Sequence, residues 1–338
     1  MHNQTYKNEE GNVGYKSVVK GKGCIVARVV AYSTTKGGKE IVTFELEYPR
    51  FIHGEFMTHR LFSRNAMSSR AVPIEKMIEQ VHTNPAIPIH WGKNQSGMQA
   101  KEELDMFGKS DAEHKWRWAA EEAADKAMML NKIGAHKQIV NRILEPYQVM
   151  KTVTTTTEID NFFYLRCHED AQPEIKELAD CMKQAMEECE PELLKDGEWH
   201  TPYVNHGRGG SGNLVYNIEH PSGMDYEVLD VEDALKVSAS CCAQVSFRSC
   251  DDSVDKAKRI YDRLVESKPV HASPFEHQAT PIECPHHPRF PDGSMDYGIQ
   301  EGITHVDLSG YAWSGNFKGW VQYRQLIKDN VYKGENNV

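Results

Sequence analysis

Apolar and polar residues alternate most sharply between residues 41 and 49. Val42, Phe44, Leu46 and Tyr48 fall on one side, and Thr43, Glu45 and Glu47 on the other, which predicts a half-buried strand. Residues 24–33 are rich in Val and Ile and predict a second strand. The turn sequence Thr35-Lys36-Gly37-Gly38-Lys39 joins the two into a hairpin. Helical spacing takes over downstream. Residues 111–130 contain many Ala, Glu, Lys and Met and neither Gly nor Pro. Asp111 is the expected N-cap, and Trp116, Ala119, Ala120, Ala123, Ala127 and Leu130 form the apolar face. Gly134 ends this helix, and a second, 136–144, stops before Pro146. The β-branched run 152–157 predicts a short extended segment. Residues 160–188 read as helix with a break before Pro173, and Ile175, Leu178, Ala179, Met182, Ala185 and Met186 give it an apolar face. Two further helices are expected at 231–241 and 253–267, the latter with Ala257, Ile260, Tyr261 and Leu264 on one side. Residues 84–97, 207–213 and 277–302 are irregular by composition, and 319–324 is helix or strand. No repeat of fixed period is present.

Composition narrows the function class. A chain of 338 residues has ample core for one large or two small domains. The net charge of -10 argues against a general nucleic-acid binder, though it leaves room for a local basic pocket. No apolar run approaches membrane-span length, and residues 1–22 are polar and lack a secretory apolar core, so a cytoplasmic protein with no membrane partner is expected. The eight cysteines are then expected as thiols. Cys284-Pro285-His286-His287 has ligand-type residues, but a Pro-rich loop with chance histidines is the better reading, and no metal is assigned.

The candidate chemistry lies just after the first hairpin. His59-Arg60-Leu61-Phe62-Ser63-Arg64-Asn65-Ala66-Met67-Ser68-Ser69-Arg70 holds three arginines, a histidine, an asparagine and three serines. Arginine forks and serine hydroxyls are the groups that grip phosphate, although composition alone favours a solvated basic surface loop. The order of residues resembles the signature of the flavin-dependent thymidylate synthases, the thymidylate synthase-complementing family. There it runs Arg-His-Arg-x-x-Ser-x-Asn-Glu-x-Ser-x-Arg. This chain keeps His59, Arg60, Ser63, Asn65, Ser68 and Arg70, with Thr58 in place of the first Arg and Ala66 in place of Glu.

Three more stretches resemble the same family. Asn161-Phe162-Phe163-Tyr164-Leu165-Arg166 followed by Ala171-Gln172-Pro173-Glu174-Ile175 is similar to Asn-Phe-Leu-x-Leu-Arg and Ala-Gln-x-Glu-Ile. Asn141-Arg142-Ile143-Leu144-Glu145-Pro146 is similar to Ala-Arg-Ile-Val-Leu-Pro. His271-Ala272-Ser273-Pro274-Phe275-Glu276-His277 is similar to the His-x-Ser/Thr-Pro-Phe-Glu-His box, and Ala243-Gln244-Val245-Ser246-Phe247 to the family's Ala-Arg-Val-Ser-Phe opening. In the family the opening and the box precede the signature; here they follow it. The chain thus resembles a circular permutant, a single domain over 1–338, with 190–230 and 281–313 as unplaced insertions or joining segments.

The resemblance implies an α+β fold, with long helices packed on a twisted, mainly antiparallel sheet, and a homotetramer. It implies reductive methylation of a pyrimidine deoxynucleoside monophosphate, dUMP to dTMP. FAD is the cofactor, and NADPH and methylenetetrahydrofolate are co-substrates. By the same resemblance Arg166 is catalytic, stabilising negative charge beside the pyrimidine. Ser68, Ser69, Arg70, Arg142 and Glu55 resemble substrate-binding positions, and His59, Arg60, Asn161, Ser246, His271, Ser273 and Glu276 flavin-binding positions. Glu55 stands where the family often has Gln near the base. A carboxylate only accepts hydrogen bonds, which suits the amino group of cytosine and opens dCMP, with methyl or hydroxymethyl transfer, as an alternative. Thr155 and Thr157 fall near the family's flavin-binding Asn and Arg, and Gln322 and Arg324 are candidates to make up for Thr58. Two other readings are a flavin- or nucleotide-binding relative without catalysis, and a nucleic-acid module using the arginine-rich loop, which the acidic total disfavours.

Overall fold

A computed structural model describes residues 14–219, 226–245, 252–286 and 300–332. The expected hairpin is present: β1 (Ser17–Lys20), β2 (Val26–Thr35) and β3 (Glu40–Pro49) are antiparallel neighbours. Then come the short helix α1 (His53–Phe56), β4 (Ser63–Ala66), α2 (Ile74–Thr83), α3 (Met106–Lys132), the short α4 (Lys137–Val140), β5 (Val149–Thr156), α5 (Asp160–Arg166), α6 (Pro173–Glu187) and β6 (Glu192–Leu194). The sheet runs β1-β2-β3-β5-β4, and β6 joins β2 in parallel. Part of the expected signature loop is therefore the edge strand β4, hydrogen-bonded to β5. The β-branched run is not a minor segment: its residues 152–156 make up the C-terminal part of β5, beside β3.

Helices cover one face of this sheet. Val42, Phe44, Leu46 and Tyr48 are fully buried there, with Ile175, Leu178, Ala179, Met182 and Ala185 of α6. The break before Pro173 separates α5 from α6, and Gln172 caps α6 by accepting from Ile175 N. Helix α3 starts earlier than its composition suggests: Asp105, not Asp111, is the N-cap and accepts from Gly108 N at 2.8 Å. The helix expected over 136–144 shrinks to α4, and turns carry Arg142.

The opposite face was expected to meet solvent, yet Thr43 and Glu45 are 0% and 1% exposed. The C-terminal half covers them. It comprises the sheet β7 (Asn205–Arg208), β8 (Leu214–Glu219) and β9 (Tyr226–Leu229), then α7 (Val231–Gln244), α8 (Val254–Glu266), β10 (Ala279–Pro281), β11 (His305–Val306), β12 (Ala312–Ser314), β13 (Phe317–Lys318) and β14 (Trp320–Gln322). The Gly-rich stretch 207–213 is the end of β7 and its turn into β8, and 319–324 is strand β14 leading into a 3-10 turn.

A polar layer survives here because most of its groups find partners. Glu45 accepts from Tyr15 OH at 2.9 Å and Tyr203 OH at 3.0 Å, and Lys151 Nζ lies 3.0 Å away. An unpaired buried carboxylate would cost several kcal/mol on the order of magnitude of ion desolvation. Beside it runs a chain of hydrogen bonds. Ser33 Oγ meets His200 Nδ1 at 2.9 Å, His200 Nε2 meets Thr43 Oγ1 at 2.9 Å, Thr43 meets Thr155 at 2.7 Å, and Thr155 meets His277 Nδ1 at 2.8 Å. Burial holds both imidazoles neutral, with His277 lowered to about 3 and His200 well below its usual value. Among the described residues no helix is long and apolar enough to cross a membrane.

Candidate active site

Three elements deliver one cluster. Helix α1 presents Glu55, the following turn His59, and the last turn of α5 Arg166. Arg166 Nε donates to His59 Nε2 at 2.9 Å, and Arg166 Nη1 pairs with Glu55. An accepting Nε2 fixes His59 as the neutral tautomer with its proton on Nδ1. Burial lowers the His59 pKa to about 4, helped by the Arg166 and Arg64 charges. Phe162, one turn before Arg166, meets the imidazole edge-on at 4.8 Å and touches Phe62 at 5.1 Å. The aromatic residues of the motifs thus orient its polar ones. Thr58 turns its hydroxyl back to Glu55 O at 2.7 Å.

A second cluster gathers around Glu145. Its Oε1 accepts from Arg142 Nη1 at 2.8 Å and Ser69 Oγ at 3.4 Å, and Arg50 Nη2 lies 3.0 Å away. Asn141 Nδ2 holds Ser69 O at 2.7 Å, while Arg70 N bonds Ser68 Oγ at 3.3 Å. Ser69 and Arg142 thus share Glu145, with Ser68 and Arg70 on either side of Ser69 in the chain. Glu145 and Arg50, which tie them together, carry no signal in the motifs.

The box near the C-terminus forms a 3-10 turn, Ser273–Glu276, packed against β4. Pro274 and Phe275 anchor it in the core; His271 and Ser273 are exposed. Glu276 pairs with Arg324. Gln322 Nε2 bonds Glu276 O at 3.4 Å, Ser63 Oγ at 3.2 Å and Asn316 Oδ1 at 2.9 Å, and Asn316 Nδ2 reaches Leu61 O at 3.1 Å. The last strand therefore joins box and signature. Gln322 and Arg324 do this as braces, by amide and ion-pair contacts. Asn161 and Arg60 are exposed, and Ser246 lies outside the described residues. A cavity of about 710 Å³ opens elsewhere, lined by residues including Lys16, Glu192, Tyr203 and His206, with none of the signature residues. Among the described residues no group of three or more His, Cys, Asp or Glu side chains is placed to hold a metal ion.

These features define a mixed helix and antiparallel-sheet protein with arginine- and serine-rich motifs gathered at one edge of the sheet. Residues 39–192 match the family model described as thymidylate synthase complementing protein. Two solved structures of PolB from Streptomyces cacaoi, a UMP/dUMP methylase, are similar. The complex with 5-Br UMP shares 17% identity at a TM-score of 0.42, covering 49% of this chain and 89% of that one. The complex with 5-Br dUMP shares 16% at 0.41, covering 50% and 92%. No curated protein matches in sequence. The match over this segment supports a nucleotide methylation activity.

Proposed function

We propose that the protein catalyses flavin-dependent reductive methylation of a pyrimidine deoxynucleoside monophosphate, dUMP to dTMP, with methylenetetrahydrofolate as one-carbon donor and NADPH as reductant. The observation that carries this reading is Arg166 held between His59 and Glu55. The two contacts use Nε and Nη1, and Nη2 has no hydrogen-bond partner among the described residues. A guanidinium fixed before substrate arrives stabilises negative charge developing on the base without reorganising. Ser68, Ser69, Arg70 and Arg142 would hold the nucleotide's phosphate, with Glu145 and Arg50 setting the position of Arg142.

The donor set fits a flavin dinucleotide. Arg60, His271 and Ser273 are exposed, and their side chains have no hydrogen-bond partner among the described residues. These groups, with His59, Asn161, Glu276 and Ser246, would bind it. Bound FAD supplies the hydride, so the protein's task is to orient the base and exclude water. Contact between the Ser273–Glu276 turn and β4 supports reading the chain order as a permutation, since segments far apart in sequence are neighbours in space. Helix α3 supports a homo-oligomer. Phe107, Trp118 and Met129 are 79%, 60% and 56% exposed and recur at a spacing of about three helical turns. Large apolar side chains exposed at that spacing suit contact with a second copy of the chain, and four copies are expected.

The Glu55 carboxylate favours one second reading. It accepts and does not donate, so it would receive the amino group of cytosine while Arg166 donates to the ring. Turnover of dUMP and dCMP by the purified protein, with NADPH and the folate donor, tests both. Product from either base sustains the reaction class, and product from neither, with bound flavin, indicates a binding protein without catalysis.

A further inference from the structure

Arg64 occupies a position that the signature leaves open, between Ser63 and Asn65. Those two residues are buried, while Arg64 alternates to the other side of β4 and is partly exposed. Its Nη1 donates to Phe56 O at 3.0 Å, and its guanidinium carbon lies 6.0 Å from the centroid of the Phe56 ring. Among the described residues no carboxylate is within ion-pair distance of it. Its partly buried counterparts differ: Arg28, Arg50, Arg166 and Arg324 each have such a partner. Burial lowers the Arg64 pKa, opposed by Tyr48 and Glu276. Its charge in turn helps to lower His53 and His59. Arg64 is thus a partly desolvated cation within electrostatic reach of His59 and Glu276. Buried charge is stable when paired, and four of its five N–H donors are not used within the described chain. Thr58, where the signature has an arginine, brings no charge and spends its hydroxyl on Glu55 O.

We propose that Arg64 is this chain's own anion-binding arginine, receiving a phosphoryl oxygen of the ligand at the signature site and replacing the cation absent at Thr58. The identity of that ligand rests on the function proposed above. Two sources share the chemistry: the 5′-phosphate of the nucleotide and the pyrophosphate of the flavin dinucleotide. The planar guanidinium fork suits both.

The test titrates wild type, Arg64→Gln and Arg64→Lys with inorganic pyrophosphate, FAD, dUMP and dCMP by calorimetry, with thermal unfolding as the control on folding. Arg64→Gln is expected to weaken pyrophosphate by about tenfold or more, and Arg64→Lys to recover part of the loss. Whichever of FAD and the nucleotides weakens by the same factor is the phosphoryl source. If the glutamine variant fails to fold, Arg64→Met keeps the apolar stem over Phe56 and repeats the measurement. Equal binding of every ligand by wild type and variant overturns the inference, and so does a wild type that binds none of them. Pyrophosphate weakened by the variant, in a wild type that takes neither flavin nor nucleotide, sustains the anion site and overturns the proposed function instead.

Discussion

Arg166 reaches His59 through Nε, at 2.9 Å, and so uses the histidine as an acceptor. The contact requires neutral imidazole. The His59 pKa, lowered to about 4 by burial and by Arg166 and Arg64, keeps it neutral through the physiological range. Titration of the His59 ring by NMR should give a midpoint near about 4. The sign follows directly. The unfolded state binds the proton from about pH 6.5 downward and the folded state only near 4, so stability from this group is complete above 6.5 and is lost as pH falls between the two. A midpoint near the unperturbed value would mean that the Arg166 contact does not form in solution.

Arg166→Lys keeps a positive charge but cannot serve His59, Glu55 and a substrate oxygen through one rigid plane. The variant should fold and retain flavin, and kcat should drop by about a hundredfold or more, the usual loss when a charge-stabilising donor is removed. Wild-type kcat in this variant would show that Arg166 only braces α1 against α5.

Thr155 bridges Thr43 and His277 inside the covered face of the sheet. Thr155→Val should cost about 1–3 kcal/mol in urea unfolding, because it strands His277 Nδ1 away from water. His277 also makes acid stability a readout. Its folded pKa is about 3, lowered by burial, so below about pH 6.5 the unfolded state gains a proton that the folded state refuses. Stability should then fall by about 1.4 kcal/mol per pH unit from this histidine, and the slope should shrink in His277→Asn.

Much of the first layer was legible because each local signal agreed with the global fold. The alternation at 41–49 gave β3, and the spacing from Ile175 to Ala185 gave the buried face of α6. The second layer was not legible. Thr43 and Glu45 carry the pattern of a solvent face, and the groups that make their burial tolerable, Tyr15, Lys151, Tyr203 and His200, lie far away in sequence. Motif order located Glu55, His59 and Arg166, and the structure brings them together. Glu145, Arg50, Asn316 and Arg64 escaped because each acts through a contact that no spacing encodes. The helix over 136–144 was too long for a different reason: its apolar residues anchor turns instead of repeating along a helix.

The exposed apolar side chains of α3 give a test of assembly. Trp118→Glu places a charge in the centre of the exposed face formed with Phe107 and Met129. Light scattering should show wild type as an oligomer and the variant dissociated, with helix content unchanged by circular dichroism. A monomeric wild type would remove the proposed role of α3.

The central claim is flavin-dependent methylation, and an absorbance spectrum of the purified protein, recorded anaerobically before and after NADPH, tests it most directly. The account predicts a flavin spectrum that bleaches with NADPH and returns when methylenetetrahydrofolate and dUMP or dCMP are added. A colourless protein that cannot be reconstituted with FAD would contradict it, and would mean that Thr58, Ala66, Thr155 and Thr157 have left no flavin site in this chain.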